Sequence, residues 1–189
     1  QVAFERALAG DPVSAFGGIV GVNREIDAGL AEVMTQTHFD LIVAPSITEE
    51  AKQVFSKKRR LRLLEVGEMK PSWEEPLTPW TLDWRRINGG FLAQTMDAVS
   101  PDEVTTRVVT ERQPTLEETT DLLFAWRAVE HVRSNAIVLA KDLSMVGVGS
   151  GQTSRVDAVR HAVEKAGPRA EGSVMASDAF FPFPDGIEE

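Results

Sequence analysis

The residues with the most capacity for chemistry fall in a few short stretches. One is Gly147-Val148-Gly149-Ser150-Gly151-Gln152-Thr153-Ser154-Arg155-Val156-Asp157. An apolar strand runs into a glycine-rich turn, and the turn opens a helix. Helix N-termini present free N–H groups and a positive dipole end, so they hold anions. Glycines let a ligand approach the backbone. Arg155 adds a guanidinium fork suited to phosphate or carboxylate. No Gly-Lys-Ser/Thr follows, so this is not a P-loop, and the third glycine comes too early for a dinucleotide fingerprint. A plain strand-to-helix turn with a solvated arginine accounts for the same residues, and both readings stand.

The second stretch is Ser177-Asp178-Ala179-Phe180-Phe181-Pro182-Phe183-Pro184-Asp185-Gly186. Its two prolines fix φ and restrict the residues before them. Three rings are thus held beside two carboxylates, which suits a flat polar ligand. The competing reading is that the rings plug a core. Ser134-Asn135 lies between a long helix and a buried strand. There an asparagine can orient a carboxamide or carbonyl, or simply cap a turn. Asp11-Pro12-Val13-Ser14-Ala15-Phe16-Gly17-Gly18 enters another strand with two glycines, and Asp40 opens a further one, placed to take ribose hydroxyls. Ordinary turn chemistry explains these too.

Composition narrows the classes. The chain has 189 residues, 42% hydrophobic and 26% charged, which is ordinary for a soluble globular protein of one domain or two small ones. Its net charge of −9 argues against phosphate-neutralising nucleic-acid binding. There are no cysteines, which excludes disulfides, thiolate catalysis and Cys-ligated zinc. His38, His131 and His161 are scattered and start no metal-binding pattern. No run approaches a membrane span and these residues show no signal-peptide pattern, so a cytoplasmic location is expected. Gln1 is no initiator and both ends look cut, as in a fragment.

The elements that must position these residues follow from pattern. A first helix ends at Gly10, and Ile19–Val22 is a strand. Asp27 caps a helix through Leu30, Val33, Met34 and Thr37. Leu41–Ala44 is a buried strand. Thr48 caps a helix to about Lys57 with Ala51, Val54 and Phe55 inward, and 61–66 is a strand. Residues 67–84, with three prolines and with Trp73, Trp80 and Trp84, read as an ordered connection whose tryptophans lie flat on the body. Strands are expected near 85–96 and 104–110, with Gly89-Gly90 a turn or bulge. A capping box at Thr115-x-x-Glu118 opens a helix to about Arg133 whose inner stripe is Leu122, Trp126 and Val129. The strands 136–140 and 145–149 form a hairpin. A helix over 155–166 turns Val156, Val159, Val163 and Ala166 inward. A Gly/Pro loop over 167–172 leads to a strand at 173–176. Alternating strands and helices give an α/β class with a largely sandwiched sheet.

Asp11-Pro-Val-Ser-Ala-Phe-Gly-Gly18, Asn88-Gly-Gly90, Ser134-Asn135-Ala-Ile, Gly149-Ser-Gly-Gln-Thr-Ser-Arg155 and Ser177-Asp-Ala-Phe-Phe-Pro-Phe183 occur in this order. The set resembles, over essentially the whole chain, the formyltransferase half of the bifunctional purine-biosynthesis enzymes, in which AICAR transformylase is joined to IMP cyclohydrolase. The resemblance implies a zinc-free, cytidine-deaminase-like α/β fold with layered sheet and flanking helices. It implies two related subdomains, with a boundary expected near 97–114. It implies formyl transfer from the co-substrate 10-formyltetrahydrofolate to the 5-amino group of AICAR, giving FAICAR. A separate N-terminal domain, absent from these residues, closes FAICAR to IMP. No catalytic metal is implied. A homodimer with active sites at the interface is.

By the same resemblance, Gly17, Asp40, Asn135 and Arg155 match positions that hold the AICAR nucleotide, with Arg155 on the phosphate, Asp40 on the ribose and Asn135 on the carboxamide. Phe180 matches a nucleotide contact supplied to the partner subunit's site. Val156 and Asp185 match positions beside the folate, and Asn135 also counts among the catalytic groups. The family's Lys-His pair, whose histidine is the general base, is expected upstream of Gln1. A second histidine and a phosphate-binding arginine are expected beyond Glu189. None of this chain's histidines sits in a matching motif. Two other readings stay open: a catalytically inactive AICAR-binding module, and a zinc-free relative of nucleoside deaminases.

Overall fold

The computed structural model describes residues 1–68, 70, 78, 81–97 and 104–188. Trp73, Trp80 and the prolines at 71, 76 and 79 lie outside these, so the expectation for them has no counterpart here.

Helix α1 (Val2–Gly10) leads through a turn into strand β1 (Gly18–Gly21). Asp27 accepts from the Leu30 N–H at 2.8 Å and starts α2 (Ala28–Met34). Strand β2 (Phe39–Ala44) follows. Thr48 then accepts from the Ala51 N–H and starts α3 (Glu49–Phe55), ahead of β3 (Arg62–Glu65). The three strands are parallel in the order β1-β2-β3. Their core holds Phe4, Ile26, Met34, Phe39, Ile42 and Phe55. Parallel neighbours need helical crossovers, and α2 and α3 supply them.

Strands β4 (Leu82–Ile87) and β5 (Gly90–Thr95) form an antiparallel hairpin turning at Asn88-Gly89. Trp84 does not lie flat on the body: it is half exposed and meets Phe91 edge-on, with ring centres 6.4 Å apart. The strand expected over 104–110 is not formed; residues 104–109 are irregular.

Helix α4 (Leu116–Val129) begins at the expected capping box and ends four residues earlier than expected. Its inward side is corrected too. Leu122 and Trp126 are 37% and 40% exposed, while Ala125 and Val129 are buried. Only small residues at 125 and 128 let the helix lie close on the sheet. Strands β6 (Ile137–Lys141) and β7 (Ser144–Gly149) form the expected antiparallel pair, and α5 (Arg155–Ala166) follows. Buried on α5 are Ala158, Val159, Ala162 and Ala166, whereas Val163 is turned outward. A 3-10 turn (Gly167–Ala170) stands where a plain loop was expected, before β8 (Val174–Ser177) and a short α6 (Asp185–Glu188).

The sheet order is β7-β6-β8, with β6 antiparallel to both neighbours. Alternate side chains of a strand face opposite ways. Accordingly, Ile137 and Leu139 pack with Ala158, Val159 and Ala162 of α5. Ala136, Val138 and Ala140 pack with Ala125 and Val129 of α4. This sheet is therefore sandwiched between helices, as the alternation of elements leads one to expect. The two cores are tied together through α1, which rests on β7. Asp11 pairs with Lys165, and Arg169 donates to the carbonyls of Ala9 and Gly10.

Candidate functional site

The register of this sheet decides what can meet. Ile137 pairs with both Gly149 and Ser177. Because β6 runs against its neighbours, its beginning lies beside the ends of β7 and β8. Three segments far apart in sequence thus converge: Ser134-Asn135 before β6, Ser150–Arg155 after β7, and Asp178–Asp185 after β8.

The turn between β7 and α5 holds itself together. Gly151 donates its N–H to Arg133 O at 2.7 Å. Ser154 accepts from the Asp157 N–H at 3.2 Å and donates to Asp157 Oδ2 at 2.5 Å. The helix start is capped from within. Gly147 and Gly149 serve helix packing here. A Cβ on Gly147 would stand 2.1 Å from Ala162 O, and one on Gly149 only 1.9 Å from Ala158 O. The missing side chains let α5 lie directly on β7, and so place its first residue, Arg155.

Arg155 is the hub. Its Nη1 donates to Ser177 Oγ at 2.8 Å and to Asp178 Oδ1 at 2.5 Å, and its Nη2 donates to Asn135 Oδ1 at 2.9 Å. Asn135 in turn donates through Nδ2 to the carbonyls of Gln152 and Thr153, at 3.0 and 3.3 Å. Both ends of its amide are therefore engaged, and its orientation is fixed. The Arg155 and Asp178 side chains are 12% and 17% exposed, so their attraction is screened little by solvent. Burial opposes ionisation of Asp178 and is the largest single influence. Hydrogen bonds from the Ser134 hydroxyl, the Ala136 N–H and Arg155 together outweigh it and hold the carboxyl below its ordinary value.

A pocket of about 410 Å³ opens beside this network. It is lined by Asn135, Arg155, Val156, Phe180 and Asp185 among others, which unites five of the seven site residues expected from sequence. The aromatic segment divides its labour. Phe181 packs on the α5 core and lies 5.9 Å from the Arg155 guanidinium carbon. Phe180 and Phe183 point out, 82% and 69% exposed. Core-plugging and an exposed grip are thus both present, on different rings. Among the described residues, Arg155 and Asp185 are the only titratable side chains in the lining, and no histidine or lysine contributes.

Gly17 and Asp40 do not line this pocket. They stand together at the edge where β1 and β2 begin. Gly17, with φ at +75°, donates its N–H to His38 O at 2.8 Å. Asp40 Oδ1 lies 3.4 Å from His38 Nε2, and the Phe16 ring leans on His38 at 5.1 Å. Sequence reasoning counted Asp178 only as one of two carboxylates beside the rings, and gave His38 no role. His38 immediately precedes β2 and Asp40 is the second residue of that strand, so the two are two apart along the chain; that spacing was the available signal. Among the described residues, no group of three or more His, Asp or Glu stands close enough to hold a metal ion.

Comparison with known proteins agrees with the motifs. A family described as AICARFT/IMPCHase bienzyme matches residues 1–165. Two relatives named bifunctional purine biosynthesis protein PurH, from Anoxybacillus flavithermus and Trichodesmium erythraeum, are each 47% identical over 186 residues, 98% of this chain and 35% of theirs. A third, from Oceanobacillus iheyensis, is 46% identical over 189 residues, all of this chain and 36% of its own. The chain spans about a third of the length of the curated relatives it matches.

Proposed function

We propose that this chain, which belongs to the AICARFT/IMPCHase bienzyme family, forms part of the transformylase half of a purine-biosynthesis enzyme. The parent moves a formyl group from 10-formyltetrahydrofolate to the 5-amino group of AICAR, and its other domain closes the product to IMP. The observation that carries this reading is the single pocket uniting Asn135, Arg155, Val156, Phe180 and Asp185.

In this reading the chain orients and does not transfer protons. Asn135 and Arg155 present fixed polar groups to the nucleotide. Three N–H groups of the Arg155 fork are already engaged and its charge is balanced by Asp178. What remains for a ligand is directed N–H donation more than free positive charge. That favours a carboxamide oxygen, or the oxyanion that forms as the amine attacks a formyl carbon, over a phosphate. A folate fits beside Val156 and Asp185, because flat rings line that side and a carboxylate is there to accept from ring N–H groups. The folate supplies the formyl group. The proposed base that takes the amine proton is a histidine, and the described lining of this pocket holds none.

Two further parts belong to the proposal. The helix–sheet–helix packing around β6 supports a cytidine-deaminase-like layering, in two subdomains with a boundary near 97–114. The outward ring of Phe180 supports a homodimer in which it reaches the neighbour's site. No described helix is long and apolar enough to cross a membrane, and a cytoplasmic setting suits the proposed substrates.

A described lining without histidine or lysine also favours a second reading, an AICAR-binding module without catalysis. Incubating the full-length parent with AICAR and 10-formyltetrahydrofolate separates them. Formation of tetrahydrofolate and FAICAR supports the enzyme. AICAR binding without turnover supports the module. Inosine-type product from a free nucleoside without folate defeats both.

A further inference from the structure

The geometry assigns Asp178 a positioning role, resting on the formyl-transfer reading above: it holds the Arg155 fork, and through it Asn135, in the orientation the pocket uses. Asp178 does not line the pocket itself, whereas Arg155 and Asn135 do. It therefore acts through them.

The argument begins with how Asp178 is held. Its Oδ1 accepts from the Ala136 N–H at 2.9 Å, and its own N–H donates to Ala136 O at 3.3 Å. It is thereby latched to the start of β6, the central strand of its sheet. The same oxygen accepts from Arg155 Nη1 at 2.5 Å. A long arginine side chain has many rotamers, and an exposed one samples them all. Here three acceptors on two different strands or their ends fix it. Ser177 and Asn135 supply two of them, and Asp178 supplies the charged one. All three bonds have a charged donor, but only the one to Asp178 joins opposite charges, so Asp178 adds an ion-pair attraction that Ser177 and Asn135 lack. Asn135 depends on the result, because its Oδ1 accepts from the other arm of the same fork. Without the counter-charge, the fork is free to swing toward whatever anionic group enters the pocket.

The test is a double-mutant cycle in the full-length parent. Asp178→Asn keeps the shape and removes the charge. Formyl-transfer kcat/KM for AICAR is expected to fall by about 10-fold or more. In an Arg155→Ala background the same change is expected to cost less than about twofold, because the group it positions is gone. The unfolding transition of the transformylase domain, followed by denaturant titration of the same preparations, reports that each variant is folded. Asp178→Glu, which keeps the charge on a longer arm, is expected to recover more activity than Asp178→Asn. A loss that multiplies fully with Arg155→Ala marks a merely structural residue and overturns the role. So does an Asp178→Asn enzyme within twofold of the wild type. Wild-type protein with no formyl transfer at all defeats the underlying reading instead, and the two failures are told apart by that measurement.

Discussion

Replacing Gly149 by alanine puts a methyl group where there is only backbone. The added Cβ would lie 1.9 Å from Ala158 O, 2.7 Å from Ala158 C and 2.8 Å from Ala158 Cα. No rotamer relieves this, since every clashing atom is main chain. Ordinary contact begins near 3.4 Å, so α5 must move from β7 by about 1.5 Å (3.4 − 1.9). The buried face of Ala158, Val159, Ala162 and Ala166 moves with it. Overpacking costs typically 1–3 kcal/mol, and a clash this deep belongs at or above the top of that range, about 3 kcal/mol. For a domain of this size that lowers Tm by roughly 6–12 °C. Function is hit as well, because Arg155 sits one turn before Ala158 on the displaced helix. Gly21→Ala is the matched control: a Cβ there meets nothing within 4 Å, and its φ is not positive. Thermal unfolding of both variants of the full-length protein, with AICAR affinity by calorimetry, reads the difference. Equal melting temperatures for Gly149→Ala and Gly21→Ala would refute the close-approach argument.

Three other outcomes follow from the same geometry. Arg155→Ala is expected to weaken AICAR binding by about 2 kcal/mol, roughly 30-fold by calorimetry, as for a lost hydrogen bond from a charged group. Arg155→Lys should not restore it, since a lysine cannot bridge Asn135 and Asp178 at once; recovery with lysine would show that charge alone matters. Phe180→Ala is expected to leave the melting temperature within about 1 °C, because the ring is 82% exposed, yet to cut formyl transfer. Hybrid dimers of Phe180→Ala with subunits damaged at the general base should regain some activity, and none at any mixing ratio argues for a site within one subunit. Asp11 contributes one part of the acid-side pH dependence. Its hydrogen bond to Lys165, with those from Ser14, holds its carboxyl well below the ordinary 3.8. A depressed value means that the folded chain binds the proton less readily than the unfolded one. The contribution is therefore full above about pH 4 to 5 and fades as pH drops through the folded-state value. The stability gap between wild type and Asp11→Asn should accordingly be constant from pH 7 to 5 and narrow at pH 3 in denaturant titrations. A gap that widens toward acid contradicts the sign.

The sequence by itself determined what depends on neighbours along the chain. Asp27, Thr48 and Thr115 each cap the helix expected of them, because a cap is satisfied within three residues. The pairing of β6 with β7 follows from a short turn between two apolar runs. The site residues were legible as motifs, and five of the seven do share a pocket. Tertiary structure decided what depends on residues far apart. It turned Leu122 and Trp126 of α4 outward, since close packing on a sheet selects the small residues of a helix and periodicity cannot weigh that. It used Gly147 and Gly149 for the contact between β7 and α5, where the motif alone read as a ligand's approach. It divided Phe181 from Phe180 by where α5 happens to lie. Above all it brought Asp178 to Arg155, 23 residues away in sequence. That contact exists only because β6 runs against both its neighbours, and it converts a free arginine into an oriented one.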